Sequence, residues 1–259
     1  MSYKFIAVEK TGKLAYLIIN RADVRNALDK ETLDEMKMFM EEAKNDDSIG
    51  AIVITGAGDK SFAAGADIKQ IREKSMLEIL QTGGMKEFYS YIESYEKPTI
   101  AMINGFALGG GFELALACDI RIASENAKLG LPELNLGIIP GAGGTQRLSR
   151  LIGKGKAVEL ILTGKVMKAE EAKTIGILTD VVPSEELRNT TEKVAESILN
   201  KGPLAVRLAK LAILYGNETD INTGLMIEKL SQAVLFATED KNEGTDAFLE
   251  KRSPEFKGK

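Results

Sequence analysis

The chain has 259 residues, with 44% hydrophobic and 28% charged side chains and a formal net charge of −4. This length allows either one large domain or a core with an appendage, and the mixed charge gives no reason to expect a nucleic-acid partner. The sequence contains no histidine, which excludes Ser-His-Asp and Cys-His nucleophiles, imidazole bases and the usual zinc sites. Any catalysis must therefore use carboxylates, lysine, tyrosine or backbone amides.

Targeting and membrane-spanning patterns are missing from the sequence. Residues 1–9 have no cationic stretch followed by an apolar run, and no apolar segment reaches the roughly 20 residues needed to cross a bilayer. We therefore expect a cytoplasmic protein that does not contact a membrane. The single cysteine, Cys118, cannot form an internal disulfide and is expected to be a buried hydrophobe rather than a reactive thiol.

Short β-branched runs alternate with helical patterns along the first part of the chain. Apolar residues at helical spacing predict helices over residues 28–43 and 80–95. This alternation is typical of an α/β protein. The four runs that predict strands are residues 14–20, 50–55, 99–104 and 120–123.

The pattern becomes almost wholly helical after Val182 and Pro183. We therefore predict a core over residues 1–199 and a helical region over residues 200–259. The last ten residues, 250–259, read as a solvated end.

Three segments concentrate glycine and other small residues: AAGAD at residues 63–67, GGGFE at 109–113 and PGAGGT at 140–145. Glycine is costly inside regular structure unless the backbone turns tightly or approaches a ligand. The second and third segments open helical patterns, and helix N-termini suit an anion or a developing oxyanion. Taken singly, each segment is more simply a turn, and none matches the spacing of the common phosphate-binding loops.

Two acidic residues, Glu113 and Glu133, lie beside these segments. Glu113 stands in an otherwise apolar run, residues 112–118, where a buried unpaired carboxylate would be costly. The structural alternative for Glu113 is a carboxylate near a helix N-terminus that is satisfied by backbone amides. The pairing with Glu133 and the neighbouring glycines favours an acid–base pair instead.

The whole chain resembles the crotonase, or enoyl-CoA hydratase/isomerase, family. The resemblance implies an α/β fold made of a spiral of ββα units, followed by a helical C-terminal region that packs homotrimers, often as a hexameric dimer of trimers. It also implies no metal and no redox cofactor, because coenzyme A arrives as part of the substrate. The five ordered segments that carry it are NRADVRNAL (20–28), SFAAGADIKQ (61–70), KPTIAMINGFALGGGFELALACDIRIAS (97–124), LGLPELNLGIIPGAGGTQRL (129–148) and ATEDKNEGTDAFLEKRSPEF (237–256).

The same resemblance implies a hydro-lyase of fatty-acid metabolism, such as β-oxidation, that reversibly adds water in syn fashion to a 2-trans-enoyl-CoA to give a 3-hydroxyacyl-CoA. Glu113 then acts as base toward water and Glu133 as acid at C2. The backbone amides of Ala66 and Gly110 correspond to the oxyanion hole, which stabilises the enolate-like transition state.

Substrate contacts are also implied by the resemblance. Arg25 and Lys251 carry the charge needed for phosphates, although each alone is as readily a solvated surface charge. Phe248 and Lys251 correspond to residues that reach the ligand of a neighbouring subunit, and Gly141 offers another amide to the water or a carboxylate. The full set implied for substrate binding is Val24, Arg25, Ala64, Ala66, Asp67, Ile68, Gly110, Gly141, Phe248 and Lys251.

Two other functions remain open at this point. One is a Δ3-Δ2-enoyl-CoA isomerase, in which one acid moves a proton between C2 and C4. The other is a protein that binds acyl-CoA without turnover. Both glutamates are present, which favours the hydratase branch of the family.

Overall fold

The computed structural model describes residues 3–81 and 83–259. Within this part of the chain, strands and helices alternate up to residue 182 and helices follow. The strands are β1 Ile6–Thr11, β2 Leu14–Ile19, β3 Ala51–Gly56, β4 Ser61–Ala63, β5 Thr99–Ile103, β6 Phe106–Leu108, β7 Ile120–Ser124, β8 Lys128–Gly130, β9 Met167–Lys168 and β10 Asp180–Val182. The helices are α1 Lys30–Lys44, α2 Ile68–Glu73, α3 Met76–Leu80, α4 Met85–Glu93, α5 Gly110–Ala117, α6 Gly144–Ile152, α7 Lys154–Thr163, α8 Ala169–Thr174, α9 Leu187–Leu199, α10 Pro203–Gly216, α11 Ile221–Phe236 and α12 Glu239–Glu250.

The strands form two sheets that the chain visits in turn. The larger sheet has the order β1-β2-β3-β5-β7-β10, and the smaller has the order β4-β6-β8-β9. The successive pairs β3–β4, β5–β6 and β7–β8 each place their first strand in the larger sheet and their second in the smaller. Within each sheet, the strands contributed by successive pairs run parallel. The predicted spiral of ββα units follows from this repetition.

The four predicted strands correspond to β2, β3, β5 and β7. Every residue of β3 is buried, as expected for a strand covered on both faces. The helix predicted over residues 28–43 is α1, whose N-cap Asp29 accepts a hydrogen bond from the backbone N–H of Thr32. Its predicted apolar side chains, Leu33 and Phe39 among them, are buried.

The prediction of one helix over residues 80–95 is wrong in its first part. Helix α3 ends at Leu80 and α4 begins at Met85. Gly83 and Gly84 between them have φ of 117° and 92°, which no right-handed helix allows. The apolar periodicity therefore belongs to α4 alone.

The chain forms two compact units. The first comprises Met1–Glu93 and Thr99–Thr191, and the second comprises Ser94–Pro98 and Glu192–Lys259. All strands lie in the first unit. The predicted helical region, residues 200–259, falls within the second.

Residues 250–259 are exposed except for Phe256, as expected of a solvated end, but their backbone is hydrogen-bonded to α12. The carboxylate of Asp240 in α12 accepts hydrogen bonds from the amides of Lys257 and Gly258, and the Asp240 amide donates to the Lys259 carbonyl. The ring of Phe256 lies against Gly244, where an added Cβ would be 3.2 Å from it. The charged residues of the tail predicted exposure to solvent. Backbone groups of the tail nevertheless satisfy the buried carboxylate of Asp240.

Two features are missing from the described part of the chain. No helix there is long and apolar enough to cross a membrane. Over the same residues, no group of three or more acidic or cysteine side chains is placed to hold a metal ion.

Candidate active site

Glu113 lies in the first turn of α5 and is only 2% exposed. Its Oε1 accepts two hydrogen bonds of 2.8 Å, from the amides of Ala142 and Gly144. Burial raises the pKa of Glu113, while these two amides and the charge of Arg147 oppose the rise. The carboxylate is thus satisfied by backbone amides, as the structural alternative expects, but they come from the third glycine segment rather than from its own helix.

The glycines before Glu113 allow α5 to begin against the smaller sheet. A Cβ on Gly111 would lie 2.0 Å from the carbonyl oxygen of Ala63 in β4. Only glycine permits this approach of helix and strand. The close contact sets where the first turn of α5 stands relative to residues 63–67.

Glu133 opens a short 3-10 helix, Glu133–Leu136, that follows β8. Its Oε2 is buried and accepts no hydrogen bond from any of the described residues. Burial raises the pKa of Glu133 to about 7, and the nearby negative charge of Glu113 adds to the rise. A carboxyl group in this state can hold a proton near neutral pH and release it to an acceptor.

Ala66 and Gly110 lie side by side, as the sequence predicts for an oxyanion hole. A Cβ built on Gly110 would be 3.5 Å from the amide nitrogen of Ala66. The hydrogen bonds found among residues 3–81 and 83–259 leave both amides without a backbone acceptor. The Gly110 carbonyl accepts a 2.8 Å hydrogen bond from the buried Tyr89 hydroxyl, which holds the peptide that follows the Gly110 amide.

The segment around Arg25 is hydrogen-bonded to the first glycine segment. The Arg25 carbonyl accepts from the Ala64 amide, and the Leu28 amide donates to the Gly65 carbonyl. The Asp67 amide donates to the Leu28 carbonyl in turn. These bonds bring together the predicted binding residues Val24, Arg25, Ala64, Ala66 and Asp67.

The side chains of these predicted contacts differ in what they do. Val24 is 41% exposed and Ile68 is 58% exposed, so both can meet a ligand. The Asp67 carboxylate accepts from the Lys69 amide and caps α2. Asp67 therefore has a structural task that the sequence analysis did not give it.

The structure corrects one of the two alternatives for the Gly141 amide, a bond to a carboxylate, while a bond to the water stays a prediction. The third glycine segment does bring amides to a carboxylate, but those that reach Glu113 belong to Ala142 and Gly144, not Gly141. The helix begins at Gly144 rather than Gly141, so the free amides of its first turn lie further along the chain. Gly141 itself is exposed.

Phe248 and Lys251 lie at the end of α12 in the second unit. Phe248 is 83% exposed, and Lys251 adopts a left-handed conformation with φ of 57° that ends the helix. Their role toward the ligand of a neighbouring subunit stays a prediction.

Four residues that hydrogen-bond within the candidate site were not found by sequence reasoning: Ala142, Gly144, Arg147 and Tyr89. The first three lie in the glycine-rich segment or in the helix that it opens. The sequence thus marked the segment but did not show that its amides bind Glu113. Tyr89 lies in an apolar helical pattern and carries no signal of its own.

Known proteins resemble this chain over its full length. The profile of the family described as enoyl-CoA hydratase/isomerase matches residues 9–259. A crotonyl-CoA hydratase of Syntrophomonas wolfei is 49% identical, covering 99% of each chain, and a short-chain-enoyl-CoA hydratase of Clostridium acetobutylicum is 47% identical, covering 98% of each. The crystal structure of an enoyl-CoA hydratase from Bacillus anthracis has a TM-score of 0.94 at 42% identity, covering 99% of this chain and 100% of that one.

The α/β fold and these matches define one class: the chain belongs to the enoyl-CoA hydratase/isomerase family. The predicted family and the predicted crotonase-type fold are both confirmed.

Proposed function

We propose that the protein is a hydro-lyase that reversibly hydrates a short-chain 2-trans-enoyl-CoA, such as crotonyl-CoA, to the 3-hydroxyacyl-CoA. The hydratase names of the relatives at 47% and 49% identity support enoyl-CoA hydration as the activity. The observation that carries the mechanism is the contrast within the glutamate pair. Glu113 is held by two amides, whereas Glu133 has a buried oxygen that no described residue hydrogen-bonds and a pKa of about 7.

In the proposed hydration, Glu113 takes a proton from water as the water oxygen bonds to C3. The C2–C3 π electrons move toward the thioester, and its oxygen gains negative charge beside the amides of Ala66 and Gly110. Glu133 then delivers its proton to C2. One water is added, and the pair regains its starting state when a proton passes from Glu113 back to Glu133. Dehydration runs through the same steps in reverse.

Binding of coenzyme A is the second part of the proposal. The thioester lies at Ala66 and Gly110, the pantetheine and phosphates follow the segment of Val24, Arg25, Ala64 and Ile68, and no cofactor beyond the substrate is required. Support for this placement comes from the hydrogen bonds that join the Arg25 segment to the first glycine segment.

Assembly and location complete the proposal. We expect homotrimers or hexamers, with Phe248 and Lys251 serving a neighbouring subunit, in the cytoplasm. Exposed apolar side chains on α10 and α11, among them Ile213, Leu230 and Phe236, support an interface in the second unit. The molar mass in solution, measured by light scattering, tests this part.

The activity is tested by following two substrates separately. With crotonyl-CoA we expect loss of the absorbance of the conjugated thioester, and with a 3-enoyl-CoA we expect little conversion. Conversion of the 3-enoyl substrate alone would identify an isomerase. Binding of both without turnover would identify an acyl-CoA-binding protein.

A further inference from the structure

We propose that Arg147 is a positioning residue for this reaction: it fixes the loop at residues 140–144 so that two of its amides hold the Glu113 carboxylate in its reactive orientation. The inference rests on the proposed function only in taking Glu113 as the base. Nothing in the family match assigns a role to Arg147.

The Arg147 guanidinium links the loop to α4. Its Nη1 donates a 2.8 Å hydrogen bond to the carbonyl of Ala142, the residue whose amide binds Glu113. Its Nε and Nη2 donate to the two carboxylate oxygens of Glu93 at 3.0 and 2.8 Å. This two-point pairing sets the plane of the guanidinium, so its third hydrogen bond holds the carbonyl of the same residue whose amide binds Glu113.

Gly143 leaves room for this arrangement. Its φ is 107°, and a Cβ there would lie 2.0 Å from Nη1 of Arg147. The backbone conformation therefore favours glycine, and a side chain there would also displace the guanidinium. The loop at residues 140–144 and Arg147 together position the amides of Ala142 and Gly144.

The charge of Arg147 also acts on Glu113. The Arg147 side chain is only 11% exposed, and its charge lowers the pKa of Glu113 against the effect of burial. The other ionisable groups that face Glu113 are Tyr89 from α4 and Glu133 from the 3-10 helix. Strands β4 and β6, which also pack against α5, carry no ionisable side chain.

Arg147→Met tests both effects. Misplacement of a reacting group by about 1 Å can cost about 10²-fold in rate, so we expect kcat to fall by roughly tenfold to a hundredfold. KM should change little, because the substrate contacts remain. The acid limb of the kcat/KM profile should move to higher pH, since Glu113 loses a favourable charge.

Two conservative variants separate position from charge. Arg147→Lys keeps the charge but loses the planar fork, so kcat should fall while the acid limb stays near its wild-type position. Glu93→Gln leaves the Arg147 charge uncompensated, so the acid limb should move to lower pH, opposite to Arg147→Met. A general loss of structure would not produce shifts of opposite sign.

Arg150→Met is the matched control, because Arg150 lies on the exposed face of the same helix and donates to Gln146. We expect its kcat and pH profile to equal those of the wild type. The positioning role is overturned if Arg147→Met keeps kcat within about twofold and leaves the acid limb in place.

A titration that does not depend on activity keeps this test separate from the proposed function. In protein labelled with ¹³C at the glutamate carboxyl groups, the Glu113 signal is the one lost in Glu113→Gln. If the wild type does not hydrate crotonyl-CoA, the hydratase proposal fails, and the Glu113 titration still decides the role of Arg147. If Arg147→Met does not fold, Arg147→Lys and Glu93→Gln decide it.

Discussion

Glu113 and Glu133 have the same side chain, but the hydrogen-bond donors around their carboxyl groups differ. The loop before α6 gives Glu113 two amide donors and a nearby guanidinium charge. The 3-10 helix of Glu133 buries Oε2 without a hydrogen bond from the described residues, and the pKa rises to about 7. Donors favour the charged form of an acid and burial favours the protonated form; at Glu133, burial outweighs the hydrogen bond from its own amide. Two identical side chains can thus be suited to opposite roles, one to accept a proton and the other to donate one.

The largest expected effect comes from removing either acid. Glu113→Gln and Glu133→Gln should each lower kcat for crotonyl-CoA hydration by about 10²–10⁴-fold, the usual contribution of a positioned acid or base. Binding of a non-reacting acyl-CoA, measured by calorimetry, should change little. Rates unchanged in both variants would remove the pair from the mechanism.

The donors of Glu113 can be disturbed without touching the acid itself. A Cβ on Gly144 would lie 2.9 Å from Oε1 and 3.0 Å from Cγ of Glu113. Gly144→Ala should therefore displace the carboxylate and lower kcat by about 10²-fold. Gly155→Ala is the control, because nothing lies within 4 Å of its added Cβ. Equal rates for the two alanine variants would argue against a held carboxylate.

The pH profile tests whether the two acids carry one proton between them. Hydration needs Glu113 ionised and Glu133 protonated, so kcat/KM should fall about tenfold per pH unit above the Glu133 pKa of about 7. It should also fall at low pH as Glu113 becomes protonated. Dehydration uses a pair with the same total number of protons, so both directions should give the same bell-shaped curve. Residual activity of Glu133→Gln should lack the alkaline limb.

The smallest effect is expected at Tyr89. Tyr89→Phe removes one hydrogen bond to the Gly110 carbonyl. Because Gly110 is the first residue of α5, its carbonyl still accepts from the helix amide one turn on, so the cost should be about 0.5–1.5 kcal/mol in the free energy of unfolding. We expect kcat to fall by about tenfold or less, because the Gly110 amide stays in place but is held less firmly. Denaturant titration and kinetics on the same samples check this. A loss as large as that of Glu113→Gln would contradict it.

Much of the fold could be predicted because its longer strands have a clear composition. Strands β2, β3, β5 and β7 have five or six residues each and are rich in β-branched side chains. Strands β4, β6 and β8 have three residues each, which is too short for any periodicity to register. The second sheet was therefore visible only through the family resemblance.

The candidate site was predictable in its residues but not in its contacts. Glu113 and the glycine segments are local signals. The bonds from Ala142 and Gly144 to Glu113 cross 29 and 31 positions of sequence, and the pairing of Arg147 with Glu93 crosses 54. Such contacts follow from the winding of the chain between two sheets, which no local pattern encodes.

The Oε2 of Glu133, which no described residue hydrogen-bonds, makes proton uptake and release measurable when a ligand binds. The sequence has no imidazole to buffer neutral solution, and Glu133 has a pKa of about 7. A ligand that changes the protonation of Glu133 must exchange that proton with the solvent. The heat of binding will then vary with the ionisation enthalpy of the buffer, and the slope will report the net number of protons that binding takes up or releases.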